Sequence, residues 1–121
     1  ERNDRTNKDP ILYLRRAFSQ LKSNRIRKST FSWELSFDNI KDKWEKNKGK
    51  CLVTGIQMTH HRDGSGKRIS TNVSIDRINN KEGYINSNVR LVCWGVNLMK
   101  HSMSDIELMR WVRRIHDGQK S

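Results

Sequence analysis

Asn72-Val73-Ser74-Ile75-Asp76-Arg77-Ile78, followed by Val89-Arg90-Leu91-Val92-Cys93 and then Gly95-Val96-Asn97-Leu98-Met99-Lys100-His101, is the stretch whose reading decides the fold. The first two segments are rich in β-branched and apolar residues, which predicts a pair of strands. Asn79, Asn80, Gly83 and Asn86 lie between them and tolerate tight backbone turns, so the strands fold back on one another. Beyond Cys93 the apolar spacing of Val96, Met99 and Met103 changes to a helical period. Strand, loop, strand, short helix is therefore the expected order over residues 72–103. Asn97 and His101 stand four apart, which stacks both side chains on one helix face. A hairpin folded against that helix would bring Asp76 to the same place. Asp and Asn supply the oxygen ligands that Mg²⁺ favours, and His adds a nitrogen better suited to Mn²⁺, Ni²⁺ or Zn²⁺.

Working outward toward the N-terminus, residues 1–8 are polar and charged and read as a loose arm. Asp9-Pro10 is a helix start, and Ile11, Leu14, Phe18 and Leu21 carry an apolar stripe over about residues 10–23. From Arg15 to Lys28 the chain has Arg15, Arg16, Lys22, Arg25, Arg27 and Lys28 and no acidic residue, a face suited to phosphates. Phe31, Trp33 and Leu35 alternate as in a half-buried strand, and Phe37, Ile40 and Trp44 then mark a helix ending near Gly49. Asp63-Gly64 and Gly66 make residues 62–67 a turn-rich connection after His60 and His61. Ser104 with Glu107 is a capping box, and Ile106, Met109, Val112 and Ile115 stripe a final helix expected to pack beside the core.

Composition narrows the partner. The 121 residues include 25 Lys and Arg against 13 Asp and Glu, a formal charge of +12 that points to a polyanion, with nucleic acid first. Residues 1–50 hold 14 of those basic side chains and form the more basic part. No stretch approaches the ~20 consecutive apolar residues of a membrane span, and no signal-peptide core is visible, so a soluble cytoplasmic protein with no membrane partner is expected. Cys51 and Cys93 are too few for a disulfide framework and read as small core residues. The four tryptophans read as core or hairpin-packing residues.

Cys51-Leu52-Val53-Thr54-Gly55, Ser74-Ile75-Asp76-Arg77-Ile78, Gly83-Tyr84, Asn88-Val89-Arg90-Leu91-Val92-Cys93 and Asn97-Leu98-Met99-Lys100, in that order, resemble phage-type HNH endonucleases, the ββα-metal or His-Me finger family. The resemblance spans residues 51 to about 101. It implies an α+β fold: a small ββα-metal core (51–121, with the C-terminal helix) joined to a basic N-terminal arm and helices (1–50) as one unit. It implies a phosphodiester hydrolase acting on DNA, with no small-molecule substrate, working as monomer or dimer in a bacterial host if phage-encoded. By position, Asp76 and Asn97 become ligands of Mg²⁺ or Mn²⁺, His101 an extra ligand, and Asn88 the brace of the loop.

Two departures from the family pattern matter. Arg77 stands where the base histidine is usual, and a guanidinium cannot accept a proton at neutral pH, so Arg77 is expected to hold the scissile phosphate. Metal-bound hydroxide, bulk water or another group then takes the proton, with His60 or His61 the candidate side chain. Thr54 and Val96 replace the second cysteines of two Cys-x-x-Cys knuckles, so no structural zinc is expected. Arg90 and Lys100 join the Arg15–Lys28 set as expected DNA contacts. A DNA-binding module that keeps the fold but has lost catalysis is the principal alternative, and charge alone would equally fit an RNA-binding protein.

Overall fold

The computed structural model describes residues 9–28 and 32–120. The arm over residues 1–8, Phe31, and the side chains of Arg27 and Lys28 lie outside the described part. Within it the order is α1 (Pro10–Lys28), α2 (Phe37–Lys46), β1 (Val73–Arg77), a 3₁₀ turn (Asn86–Asn88), β2 (Val89–Cys93), α3 (Trp94–Lys100) and α4 (Asp105–Gly118). This is a small α+β architecture. Among the described residues no helix is long and apolar enough to cross a membrane.

Asp9 opens α1 as its type and place require: its Oδ1 accepts the N–H groups of Ile11 and Leu12 at 3.0 and 3.3 Å, with Pro10 in the first turn. The helix runs about one turn beyond the residue-23 end suggested by its apolar stripe. Lys and Arg are good helix formers, so the basic stretch continues the helix without needing an apolar face. A full capping box forms at Ser36, whose Oγ takes the Asn39 N–H while the Asn39 side chain takes the Ser36 N–H. At Ser104 half of the expected box is present: Oγ accepts the Glu107 N–H at 3.2 Å. The expected strand around Trp33 reduces to a single parallel bridge with Tyr84.

β1 and β2 pair antiparallel with Val73 opposite Cys93, Ile75 opposite Leu91 and Asp76 opposite Arg90. Side chains directly opposite project from the same face, so this register presents Arg90 to Asp76. Leu14 and Phe18 of α1, Ile40 of α2, Val73 of β1, Leu91 and Val92 of β2, and Val96 of α3 share one apolar cluster, which also takes in Cys51 and Cys93. The core therefore joins residues on both sides of position 50. Cys51 and Cys93 are buried free thiols, and Cys51 Sγ accepts the Cys93 N–H at 3.3 Å.

The long β1–β2 connection is pinned at Gly83, where a Cβ would lie 2.5 Å from the Ser32 carbonyl oxygen; no other residue permits that approach. Tyr84 then bonds back to Ser32 and Glu34, and its ring stacks near Trp33 with centroids 4.9 Å apart.

The C-terminal helix departs from expectation. Leu108 is its one buried residue, and Ile106, Met109, Val112 and Ile115 face solvent instead of the core. Asp105 and Leu108 fasten the first turns, and the helix then runs off the body.

Candidate nucleic-acid and metal site

A cleft of about 990 Å³ opens between α1 and the β1–α3 face. Asp76, Arg77, Asn97 and His101 line it together, with Ser74 and Asn80 beside them. Four of the residues singled out from sequence are thus gathered on one wall. Asn97 is fixed there because its Nδ2 donates to Ser74 Oγ at 2.7 Å and to the Ile75 carbonyl at 3.3 Å, immediately before Asp76 in β1. Among the described residues nothing donates to Asn97 Oδ1, so the amide oxygen is the end available to a cation. His101 ends α3 with a positive φ of 48° and stays exposed, its carbonyl receiving the Asn80 side chain at 3.4 Å.

Asp76 is 4% exposed and surrounded by cations of the chain itself. Arg90 Nε donates to its Oδ2 at 2.9 Å, and Lys100 Nζ reaches Oδ2 at 3.1 Å and Oδ1 at 3.2 Å. Lys100 has no exposed surface and also donates to the carbonyls of Arg77 and Ile78. The remaining two nitrogens of Arg90 grip both oxygens of Asp105 at 2.9 and 2.6 Å. Burial works against the Arg90 charge, yet the bonds to Asp105 and Asp76 outweigh it and hold its pKa above the usual guanidinium value. The same bidentate bond keeps the Asp105 carboxyl below the ordinary carboxylate range.

This arrangement redirects two expected DNA contacts. Arg90 and Lys100 point inward to Asp76, because a buried carboxylate needs a nearby positive charge. The other basic residues divide. Arg16 and Arg25 of α1 line the cleft, Arg15 lies over the Phe37 ring at 4.1 Å, and Lys22 is exposed outside the lining. Arg62 and Arg68, which follow no motif, also line the cleft; they pack over Tyr13 and Trp94 at 5.6 and 5.5 Å. Their one sequence signal was position, Arg62 opening the turn-rich segment before β1 and Arg68 following it. Arg77 lies 4.9 Å over the Tyr84 ring and donates to the Glu82 carbonyl at 3.1 Å.

His60 and His61 are absent from the cleft wall. The His60 ring meets Trp44 edge-on with centroids 6.3 Å apart, and His61 is exposed with its carbonyl held by Asn72. The segment carrying both is tied beside the start of β1 by the Thr59–Asn72 bridge and a Thr59–Thr71 hydroxyl bond of 2.9 Å, and neither ring joins the residues that line the cleft. Asn72, unnoticed in the sequence, is the fully buried knot of that segment. Its Oδ1 accepts the Ile69 N–H, and its Nδ2 donates to Thr59 Oγ1 and the His61 carbonyl, each at 2.9 Å. Asn88 plays the matching part in the β1–β2 connection: Nδ2 donates to the Asn79 and Gly83 carbonyls at 3.0 Å, and Oδ1 accepts the Asn79 N–H at 2.9 Å.

As a metal site the donor set is sparse: one carboxylate, one amide oxygen and one imidazole. Among the described residues no cluster of three or more His, Cys, Asp or Glu exists. A hard cation that keeps several waters fits such a set, whereas a closed all-protein cage does not.

No family model matches the chain, and no curated protein does. Among solved structures it is similar to the rare-cutting HNH restriction endonuclease PacI, with a TM-score of 0.60 and 18% identity over 87% of this chain and 78% of that one. The α+β architecture is accordingly similar to an HNH endonuclease fold.

Proposed function

We propose that this protein is a divalent-metal-dependent DNA endonuclease, hydrolysing phosphodiester bonds in the cleft between α1 and the β1–α3 face. The observation that carries the reading is the meeting of Asp76, Asn97 and His101 on a wall whose rim holds Arg16, Arg25, Arg62, Arg68 and Arg77. Among the described residues Asp76 is the one carboxylate lining that cleft, so the arginines there have an excess of charge to offer to phosphates.

In this reading Asp76 Oδ1, Asn97 Oδ1 and His101 would hold Mg²⁺ or Mn²⁺. The cation supplies stabilisation of the negative charge that grows on the phosphate and the departing 3′ oxygen. Arg77 grips the scissile phosphate through the planar N–H fork of its guanidinium. Lys100 and Arg90 hold Asp76 in one rotamer. With His60 and His61 off the wall, the proton of the attacking water leaves to solvent on the open side of the cleft. The basic rim binds backbone phosphates irrespective of base sequence.

A plasmid-nicking assay with Mg²⁺ and with Mn²⁺ tests the proposal. Asp76→Ala is a poor choice of variant because it abandons the fully buried Lys100 charge, and breaking such a pair costs about 3–5 kcal/mol. Asn97→Ala and Arg77→Ala are preferable. Metal-dependent nicking by the parent, lost by about a hundredfold or more in both variants while they still bind duplex DNA, supports the reading. A parent that binds duplex DNA and cuts nothing with either metal would instead be the non-catalytic module.

A further inference from the structure

We propose that α4 is a self-association element, through which two copies of this chain pair about a two-fold axis with their C-terminal helices antiparallel. The inference stands apart from the nuclease reading, since α4 contributes nothing to the cleft lining.

The starting observation is a helix with an uncovered apolar seam. Leu108, Trp111, Val112 and Ile115 follow the i, i+3, i+4, i+7 spacing that places side chains on one face. The body covers Leu108 alone. Trp111 is 48% and Ile115 61% exposed, and every residue from Met109 to Lys120 is on the surface. Five of the twelve large apolar side chains exposed on the described residues sit on these fourteen positions. A fourteen-residue helix without tertiary packing is marginal in water, so an apolar partner for the seam would add the stability its own turns lack.

Charge selects the partner. The chain carries +12, yet α4 has Asp105, Glu107 and Asp117 against Arg110, Arg113 and Arg114 and is formally neutral. A phosphate-binding surface would share the basic excess of the rest. A neutral patch on a basic protein is instead where two like molecules approach with least repulsion.

The pattern is also self-complementary. Turning one helix antiparallel on its copy, with the axis between Trp111 and Val112, sets Trp111 of each against Val112 of the other and brings Ile115 to the level of Leu108. Glu107 and Arg114 occupy the same flank of the seam, seven residues apart on opposite sides of its centre. In the antiparallel pair each Glu107 therefore runs beside the Arg114 of the other copy, twice by symmetry. Within one chain the described residues give Glu107 no ion pair, while Arg114 lies over the Trp111 ring at 4.9 Å. A helix about 21 Å long makes a small interface, so association belongs in the micromolar range or weaker.

Sedimentation velocity of the full chain without DNA, from about 5 to about 200 µM, is the test, because small interfaces populate dimers in that range. The parent should shift toward dimer as concentration rises. Ile115→Asp and Trp111→Asp should stay monomeric throughout with unchanged circular dichroism, since both positions are exposed. Glu107→Arg should weaken the dimer about tenfold by placing like charges beside each other, and Glu107→Arg with Arg114→Glu should restore it. A parent that is monomeric at the highest concentration overturns the proposal. So does a dimer that survives Ile115→Asp, or one indifferent to Glu107→Arg.

Discussion

The Lys100 ammonium, with no exposed surface, lies 3.1 and 3.2 Å from the two carboxylate oxygens of Asp76. Two elements separated by β2 meet in that pair: the last residue of α3 and the fourth residue of β1. Lys100 also ties the backbone carbonyls of Arg77 and Ile78, so it fixes the strand end that presents the cleft wall. Replacing it by Met keeps the volume but leaves Asp76 with Arg90 alone and strips those carbonyls of their donor. A loss of about 3–5 kcal/mol in urea denaturation is expected. A loss below about 1 kcal/mol would mean that the pair is not a buried one in solution.

The sparse donor set leads to a prediction about the order of binding. Asp76 already faces two cations, and five arginines ring the cleft, so a divalent ion alone meets a repulsive field. A phosphate on the same wall would reverse that field. Mn²⁺ binding, followed by the paramagnetic resonance of the free aqua ion, should be weak for the protein alone. A non-cleavable duplex should tighten it by about tenfold or more. Equal affinity with and without the duplex would contradict this electrostatic account.

Arg16, Arg25, Arg62 and Arg68 should act as backbone contacts. Replacing any one by Ala is expected to weaken duplex binding similarly for unrelated sequences, and to lower the slope of log affinity against log salt by about one. Arg15→Ala, on the Phe37 ring, should leave that slope nearly unchanged. Fluorescence anisotropy at several salt concentrations separates the two classes.

Asn72 and Asn88 are themselves buried, and each holds several backbone groups of a connection beside the cleft. Asn88→Ala removes the bonds holding Asn79 and Gly83, and Asn72→Ala those holding Ile69 and His61. Each should cost about 1–3 kcal/mol, because a buried amide that ties several backbone groups together is removed. Thermal denaturation, with amide exchange over residues 79–83 and 59–72, would show whether the loss is local to the expected segment.

Stability at acid pH should register the Arg90–Asp105 bond. The Asp105 carboxyl is held below its usual range by Arg90, so its stabilisation is present above the ordinary carboxylate pKa of about 4 and is lost as pH falls below it. Asp105→Asn should therefore be less stable than the parent at pH 7, and the gap should close as pH falls below about 4. A gap of constant size from pH 7 to pH 3 would show that charge is not its cause.

The amino-acid order by itself determined the local elements and singled out residues that share one cleft wall. Asp9-Pro10 dictated where α1 begins, the β-branched runs gave two strands, and Asp76 with Asn97 and His101 marked one wall of the cleft before any geometry was known. These depend on neighbours within a few residues, which spacing and side-chain type express directly. Long-range packing decided the rest. The register that sets Arg90 opposite Asp76 turned two expected DNA contacts into buried counter-charges. The His60 ring meets Trp44 outside the cleft lining, and among the described residues nothing covers the α4 stripe, which faces solvent. Periodicity records that a helix has an apolar face; what that face meets depends on residues far away in the chain, and a local pattern carries no trace of them.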